Sequence, residues 1–317
     1  MQQRVIGVDI GATKIAAGIV NSNTEVLETV TVPTLSQESE EVVLGQLFEA
    51  IEKLNCDLSM IEGIGVCAAG PLKDGIIINP PNIPSWRNVP LKKILHERYK
   101  TLVEVENDAN AAGYAELVFG AARGYSSFIF VTVSTGVGTG IIINKKIYLG
   151  KNGLAGEGGH VTIDYKGEKH PGSGVPGCIE ALASGTAIAK RIRAELSADP
   201  DKSPKIKELC KGDFSQITTH ELRLALEHGD NYARTITEES GFLLGAWLGS
   251  LVSLFDPELL VIGGGVAHLG EPLFQKMRET MPKYTINPFA AEIPIVNAKL
   301  REYVGIYGAA SLIFQEI

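Results

Sequence analysis

The chain has 317 residues, of which 44% are hydrophobic and 21% are charged, and its formal net charge is -8 at pH 7. This composition is typical of a globular protein with one large domain or two smaller ones, and it excludes a disordered or fibrous chain. The acidic balance disfavours nucleic acid and anionic membrane surfaces as main partners.

The sequence predicts a cytoplasmic protein. A strand pattern begins at once, at Arg4–Val8, which leaves no room for a signal peptide. The longest apolar segment, Gly241–Phe255, is shorter than the ~20 residues that cross a bilayer. The 4 cysteines lack CxxC spacing, which suits a reducing compartment and predicts no disulfide framework.

The first third of the chain predicts an antiparallel meander followed by alternating helices and strands. Consecutive prolines exclude a helix at Pro80–Pro84, so that segment should be an extended loop. The predicted strands are Val5–Asp9, Ile15–Val20, Val26–Val32, Gly63–Cys67 and Leu102–Val105, and the predicted helices are Glu38–Leu54, Leu91–Tyr99 and Ala111–Glu116.

The rest of the chain predicts a second α/β group. Gly150–Gly177 is rich in Gly and Pro and should form an irregular functional loop. Three glycines spaced four residues apart on the predicted helix Asp230–Phe255 favour close packing onto a neighbour. The predicted elements are strands at Ser127–Val133 and Gly140–Ile143, helices across Ser184–Phe255, a last strand at Leu259–Ile262, and a helix from Gly305.

The turn between the first two strands is a candidate phosphate site. A glycine there lets the backbone bring its N–H groups close to a phosphate, and Thr and Lys side chains add donors. Asp9 could hold Mg²⁺ directly or through water. An ordinary hairpin is the alternative. The candidate cofactor-binding residues of this turn are Asp9, Gly11, Ala12, Thr13 and Lys14.

Two further glycine turns follow buried strands, at Ser134–Gly140 and Gly263–Gly265. Glycine is poor strand material, so either a close ligand or a bulged hairpin explains the first of them. The second precedes a helix, which is the arrangement that seats a nucleotide at a helix N-terminus. The sequence has no Walker A motif, and no GxGxxG follows the first strand. The three turns therefore predict a nucleotide gripped between two lobes.

The segment Glu106–Ala111 places polar side chains between a predicted strand and a predicted helix. Asn and Asp are favoured helix caps, so Asp108 could merely satisfy backbone N–H groups. Three hydrogen-bonding side chains in four residues, Asn107, Asp108 and Asn110, also suit a polyol ligand. Asp108 is the only base among them.

Together these residues resemble the ROK family of sugar kinases and repressors, within the hexokinase and actin-like ATPase superfamily. The resemblance covers essentially the whole chain. Its motifs are the turn Asp9–Lys14, the pair Asn107-Asp108, the glycine turn after Val133 that leads to Gly159-His160, the block Gly177–Gly185, and Gly263–Val266.

The resemblance implies a fold and a reaction. The fold is α/β, a two-lobed actin-like ATPase (ribonuclease H-like) fold with a cleft between a small lobe (1–117 plus 302–317) and a large lobe (118–301). Asp108 is the implied general base that takes the proton of a sugar hydroxyl attacking Mg-ATP. The implied sugar-binding residues are Gly70, Asn82, Asn107, Asp108, Glu157, His160 and Glu180, and the implied nucleotide-binding residues of the large lobe are Thr135, Gly136, Gly264 and Gly265.

One family feature is incomplete. Family members usually hold a structural zinc with a His and three Cys in the pattern CxCGxxGC, but Pro171 and Ser173 stand at the first two Cys positions. His160 and Cys178 are the remnants of that site, and neither proline nor a neutral serine is a useful zinc ligand. His170 could substitute, giving at most three protein ligands. The sequence favours a metal-free loop.

The resemblance predicts an ATP-dependent kinase that makes a hexose 6-phosphate, with glucose as the first candidate. A kinase for N-acetylmannosamine, N-acetylglucosamine or fructose is the alternative, because the sequence does not fix the pocket near the sugar's second carbon. A sugar-responsive repressor is the alternative from another class, although such proteins carry an added helix-turn-helix. Whether polyphosphate replaces ATP stays open, and a homodimer or homotetramer is expected.

Overall fold

The computed structural model describes residues 3–300 and 303–314 and has a mixed α/β architecture. Two compact units are present: Met1–Ser126, Gly140–Gly156 and Lys299–Ile317 form the first, and Ser127–Thr139 and Glu157–Ala298 form the second. Of the small lobe predicted at 1–117 and 302–317, residues 1, 2, 302 and 315–317 lie outside the described residues.

Twelve strands and ten α-helices are described, with short 3-10 turns between them. The strands are β1 (Arg4–Ile10), β2 (Lys14–Asn21), β3 (Val26–Pro33), β4 (Gly63–Ala68), β5 (Leu72–Lys73), β6 (Ile76–Ile77), β7 (Leu102–Asn107), β8 (Phe128–Val133), β9 (Val137–Ile143), β10 (Lys146–Ile147), β11 (Leu259–Gly263) and β12 (Ile295–Asn297). The helices are α1 (Glu40–Glu52), α2 (Leu91–Tyr99), α3 (Asp108–Val118), α4 (Ile179–Ala183), α5 (Gly185–Ala198), α6 (Pro204–Leu209), α7 (Thr219–Glu227), α8 (Asn231–Phe255), α9 (Glu271–Thr280) and α10 (Val304–Phe314).

The sheet of the first unit has the order β3-β2-β1-β4-β7. The predicted meander is confirmed, since β1, β2 and β3 pair antiparallel, while β1, β4 and β7 pair parallel. Side chains alternate across a strand, so Ile6, Val8 and Ile10 face the core that contains α1. Gly7 and Asp9 therefore face the opposite side of the sheet.

Helix α10 packs directly onto that opposite side because the strands carry glycine there. A Cβ on Gly7 would lie 2.2 Å from the carbonyl oxygen of Ile306, and one on Gly65 would lie 1.8 Å from that of Ala309. Any side chain at these two positions would push the helix away. The close approach brings the first turn of α10 to Asp9, where a Cβ on Gly305 would lie 2.2 Å from Asp9 Oδ2.

The second sheet has the order β10-β9-β8-β11-β12, and β11 pairs parallel with both β8 and β12. Strands β8 and β11 share an apolar core with α5, α8 and α9. The packing function predicted for the glycine row of α8 is confirmed. A Cβ at Gly241, Gly245 or Gly249 would lie 2.8 Å or less from an atom of the segment from Lys276 to Tyr284.

Three sequence predictions were wrong in detail. The glycine turn Ser134–Gly140 is shorter than predicted, because β9 already begins at Val137. Gly140 is required inside this strand, since a Cβ there would lie 2.6 Å from the carbonyl oxygen of Ala109. Helix α3 begins at Asp108 rather than Ala111. Leu259–Ile262 is also not the last strand, since the three-residue β12 follows it.

Within the described residues, none of the helices combines the length and apolarity that a bilayer crossing requires.

Candidate active site

At the junction of β7 and α3, one polar side chain caps the helix and the next one is not needed for capping. Asn107 has extended backbone geometry, and its Oδ1 accepts hydrogen bonds from the N–H groups of Ala109 (2.9 Å) and Asn110 (3.3 Å). Asn107 is therefore the helix cap. Asp108 Oδ1 accepts only the Ala109 N–H, at 2.8 Å, among the bonds of the described residues. Capping does not require Asp108, so its carboxylate is available for chemistry.

Two carboxyl groups of the first unit share an unusual electrostatic environment. Asp108 remains accessible to water, yet protein atoms surround its carboxyl closely enough that lost hydration raises its pKa. Burial also raises the pKa of half-buried Asp9, and the negative charge of Asp108 adds to that shift. A cation near these carboxylates would relieve both effects, which suits a site for Mg²⁺.

Glu106 stabilises the same junction through hydrogen bonds. Its side chain is buried, and its Oε1 accepts hydrogen bonds from the Asn107 N–H (2.7 Å) and from Asn110 Nδ2 (3.0 Å). Burial raises the pKa of this carboxyl. Glu106 thereby fixes the backbone immediately before Asp108, and it joins the strand to the first turn of the helix.

Gly70 and Asn82 lie in loops of the same unit. Asn107 Nδ2 donates a hydrogen bond to the Gly70 carbonyl oxygen at 3.5 Å. Gly70 has a φ of +106°, and a Cβ there would lie 2.8 Å from Pro80 Cα, so only glycine fits. The buried Oδ1 of Asn82 has no hydrogen-bond partner among the described residues. Such an acceptor is available to a ligand hydroxyl.

The turn between β1 and β2 is held by a residue from outside the motif. Buried Thr34 donates its hydroxyl to the Gly11 carbonyl oxygen (2.7 Å) and its N–H to the Thr13 carbonyl oxygen (3.0 Å). Within the described part of the chain, no acceptor is recorded for the N–H groups of Ala12 and Thr13. Two free N–H groups beside the Lys14 ammonium make this exposed turn a fitting phosphate cradle.

Two of the four nucleotide-binding residues predicted in the second unit line one cavity. Its volume is about 250 Å³, and Thr135 and Gly265 line it together with Gly185, Thr186, Arg193 and Thr218. Gly185 donates its N–H to the Ser134 carbonyl oxygen at 2.7 Å, which places the start of α5 beside the glycine turn. A helix N-terminus carries partial positive charge, so the cavity suits an anionic ligand.

Only glycine fits the backbone position of Gly264. Its φ is +86°, and a Cβ there would lie 2.3 Å from the Val133 carbonyl oxygen. Both observations exclude a side chain at this position. Gly136 is constrained by a different neighbour, since a Cβ there would lie 2.4 Å from Glu180 Oε2.

Three predicted sugar-binding residues lie in the second unit. Glu157 precedes and His160 ends a 3-10 turn whose two glycines pack against β9, where a Cβ on Gly159 would lie 2.0 Å from the Val137 carbonyl oxygen. The buried His160 Nδ1 has no partner among the described residues. Glu180, in the first turn of α4, accepts a hydrogen bond from the Val137 N–H at 2.7 Å.

The residues near His160 do not fit the zinc site of the family. Pro171 and Ser173 replace two cysteines, and Cys178 is fully buried. His160, His170 and Glu180 do offer ligand atoms within 4.8 Å of one another, a set that could hold a metal ion. Two of these three side chains already bond directly, since His170 Nε2 lies 3.0 Å from Glu180 Oε1.

Sequence reasoning missed several residues that build these sites: Thr34, Glu106, Arg193 and His170 in its contact with Glu180. Only Glu106 carried a signal, since a charged residue directly after a predicted buried strand requires a partner if it is buried too. Nothing in the local sequence connects Thr34 with a turn that lies 23 residues earlier.

Comparisons with known proteins place the chain in a family. The sequence profile of the ROK family matches residues 5–316. The glucokinase of Thermotoga maritima is 33% identical over 315 residues, covering 99% of this chain and 98% of that protein. The crystal structure of a ROK family glucokinase from Streptomyces griseus, in complex with glucose and AMPPNP, is 35% identical with a TM-score of 0.84 and covers 98% of this chain and 99% of that one.

A repressor is also among the relatives. The xylose repressor of Bacillus subtilis is 31% identical over 253 residues, which cover 79% of this chain and 60% of that protein.

Proposed function

This chain belongs to the ROK family and has its actin-like ATPase fold, and we propose from that premise that it is an ATP-dependent glucokinase that phosphorylates glucose at the 6-hydroxyl. One observation carries the proposal. Asp108 is an accessible carboxylate that the helix cap does not need, and its pKa is raised. A general base is most effective when its pKa approaches the working pH, so the direction of this shift suits proton removal from an alcohol.

Asp108 accepts the proton of the sugar hydroxyl as that oxygen bonds to the γ-phosphorus of ATP and the bond from phosphorus to the β-phosphate oxygen breaks. Phosphoryl transfer needs mainly positioning and charge neutralisation, and one well-placed carboxylate supplies the base. Asn107 caps the helix that presents Asp108. The buried Glu106 carboxyl accepts the Asn107 N–H, so the position of the base depends on this hydrogen-bonded junction.

Residues of both units contribute to nucleotide binding in this proposal. The free N–H groups of Ala12 and Thr13, with Lys14, bind phosphate oxygens in the first unit. In the second unit, the cavity at the start of α5, which Thr135 and Gly265 line, binds the rest of the nucleotide, and Gly136 and Gly264 shape the two glycine turns beside it. Asp9 would hold Mg²⁺, which neutralises phosphate charge when it is bound. The raised pKa of Asp9 fits a carboxyl that awaits a cation.

Sugar hydroxyls are bound by side chains that both donate and accept. The unpartnered Asn82 Oδ1 and His160 Nδ1 are suited to this function, because each is a buried polar atom without a hydrogen bond in the described chain. Asn107, Glu157 and Glu180 complete the set, with Gly70 lining the pocket.

Two other functions compete with this one. A kinase for an N-acetylated hexosamine or for fructose would use the same base and differ only in the contacts near the sugar's second carbon. A sugar-responsive regulator is favoured by the likeness to the Bacillus subtilis xylose repressor, but a regulator needs no base such as Asp108. A cytoplasmic location stays a prediction from the sequence, and a homodimer or homotetramer stays a prediction from the resemblance.

A coupled assay with Mg-ATP across glucose, mannose, fructose, glucosamine, N-acetylglucosamine and N-acetylmannosamine tests the proposal. Glucose should have the highest kcat/KM, and replacing ATP by polyphosphate tests the phosphoryl donor. Higher kcat/KM for an N-acetylated sugar would overturn the substrate. The absence of phosphoryl transfer to every sugar, in a protein that still binds one of them by calorimetry, would overturn the kinase and favour the regulator.

A further inference from the structure

We propose that His170 is a positioning residue that ties the loop Glu168–Gly177 to Glu180 and so fixes a sugar-binding carboxylate without a metal. The inference rests on the function proposed for Glu180, but the link itself is a feature of the second unit alone. The two side chains are 21% and 17% exposed, so water competes little for their hydrogen bond while a ligand can still reach the carboxylate.

One nitrogen of the imidazole organises the loop. His170 Nδ1 lies 3.3 Å from the Gly172 N–H donor and 3.1 Å from the Ser173 N–H donor, and it also contacts Ser173 Oγ at 3.2 Å. A nitrogen that accepts backbone N–H groups must present its lone pair, so the neutral ring carries its proton on Nε2. This tautomer is assigned from the hydrogen-bond network.

The other nitrogen reaches the carboxylate. His170 Nε2 lies 3.0 Å from Glu180 Oε1 and donates to it in this tautomer. Glu180 Oε2 accepts the Val137 N–H at 2.7 Å, so both carboxylate oxygens are held, one by β9 and one by the loop. Each oxygen keeps lone-pair capacity for a ligand hydroxyl.

The rest of the loop has little regular structure that could perform this function. Isolated bridges join Thr162 with Cys178 and Lys169 with Pro176. A tight turn adds a bond from the His170 N–H to the Val175 carbonyl oxygen at 2.9 Å. The Lys169–Pro176 bridge closes the loop on itself, while Thr162 Oγ1 donates to the Pro176 carbonyl oxygen at 2.9 Å and Lys190 Nζ lies 3.4 Å from Glu168 Oε2. The His170 side chain is what joins the loop to the Glu180 carboxylate.

A metal ion held by His160, His170 and Glu180 would require a different arrangement. Ligation through His170 Nε2 needs the lone pair of that nitrogen, so the proton would have to move or leave, and the bond to Glu180 would be lost. The protonation state of His170 Nε2 therefore separates the two possibilities.

Two substitutions test the two imidazole nitrogens separately. His170→Gln places an amide N–H near the position of Nε2, while His170→Asn places an amide oxygen near the position of Nδ1. We expect His170→Gln to keep the glucose KM within about threefold, and His170→Asn and His170→Ala to raise it about tenfold or more, since each loses a hydrogen bond to a charged acceptor. KM for ATP should change by less than about twofold, since Glu180 is not among the nucleotide-binding residues. His228 is the exposed C-terminal cap residue of α7, and His228→Asn is the matched control, which should behave like the unsubstituted protein.

A measurement on the unsubstituted protein keeps the proposal falsifiable if a variant fails to fold. Long-range ¹H–¹⁵N NMR of the histidine rings should show His170 as the Nε2–H tautomer without any sugar present. The opposite tautomer, or one bound zinc per chain by elemental analysis that His170→Ala abolishes, would overturn the link. Equal glucose KM values for the Asn, Gln and Ala variants would also overturn it. If instead the tautomer is as expected and no sugar is phosphorylated, the link stands and the proposed function fails.

Discussion

The substitution Asp108→Asn removes the candidate base and leaves the helix cap, Asn107, in place. The asparagine Oδ1 still accepts the Ala109 N–H that Asp108 accepts at 2.8 Å, and the cap residue Asn107 is unchanged. The fold should therefore survive, while the side chain can no longer take a proton. A positioned general base contributes about 10²- to 10⁴-fold. We expect kcat to fall by that factor, which corresponds to about 3–5 kcal/mol of barrier.

The same substitution should not lower stability at neutral pH. Burial raises the pKa of Asp108 above its ordinary value of 3.8, so the folded protein binds this proton more tightly than the unfolded chain does. The resulting cost to stability is absent well below pH 3.8, grows as the pH rises through the folded-state pKa, and stays constant above it. Asp108→Asn removes that cost, so its Tm at pH 7 should equal or exceed that of the unsubstituted protein.

Three measurements test this substitution: initial rates of product formation with Mg-ATP, glucose binding by calorimetry, and thermal unfolding at pH 7 and pH 4. Glucose binding with little turnover and an unreduced Tm is the expected pattern. The pH dependence of kcat/KM in the unsubstituted protein should show an acid limb with a midpoint above 3.8, in line with the direction of the Asp108 shift. Turnover within about threefold of the unsubstituted protein would refute Asp108 as the base, since a base contributes at least about a hundredfold. Loss of both binding and Tm would refute the separation of base from cap.

Three further outcomes follow from the structure. Gly245→Ala should destabilise the protein by about 1–3 kcal/mol in denaturant unfolding, because the new Cβ would overpack α9. Gly45→Ala in α1 should be neutral or stabilising, because no atom beyond the local helix backbone lies within 4 Å of the new Cβ; equal effects of the two substitutions would contradict the packing argument. Lys14→Met should raise KM for ATP with little change in KM for glucose, and the reverse pattern would remove Lys14 from the phosphate cradle. Chelator treatment followed by Mg²⁺ should leave activity and Tm unchanged if the loop 150–177 is metal-free, and a lasting loss of Tm would indicate a structural metal.

Much of the fold could be predicted because local sequence patterns indicate its strands, turns and helices. The alternation of Ile6, Val8 and Ile10 predicts a strand with one apolar face, and the tight turns on either side of β2 predict an antiparallel meander. The glycine row of α8 has helical periodicity, so its packing function was visible before the partner was known. The segment 134–140 was interpreted wrongly because glycine in a strand and glycine in a turn look the same in sequence.

The candidate site was predictable where a motif is contiguous. A few neighbouring residues were enough to propose a function for each of three motifs: the pair Asn107-Asp108, the turn after Asp9, and Gly264-Gly265. The sequence did not show which residue of the pair is the helix cap, since either Asn107 or Asp108 could have capped α3. Hydrogen-bond geometry, which depends on backbone angles, decided that Asn107 is the cap.

By itself, the sequence determined the composition-driven class and the strand and helix periods, and it nominated candidates for the base, the phosphate cradle and the sugar ligands. Only the tertiary structure decided which distant groups support them: Thr34 behind the phosphate turn, α10 against Gly7 and Gly65, and His170 on Glu180. The physical reason is that periodicity is fixed by neighbours in the chain, whereas a buried hydrogen bond or a close backbone approach depends on residues that meet only after folding.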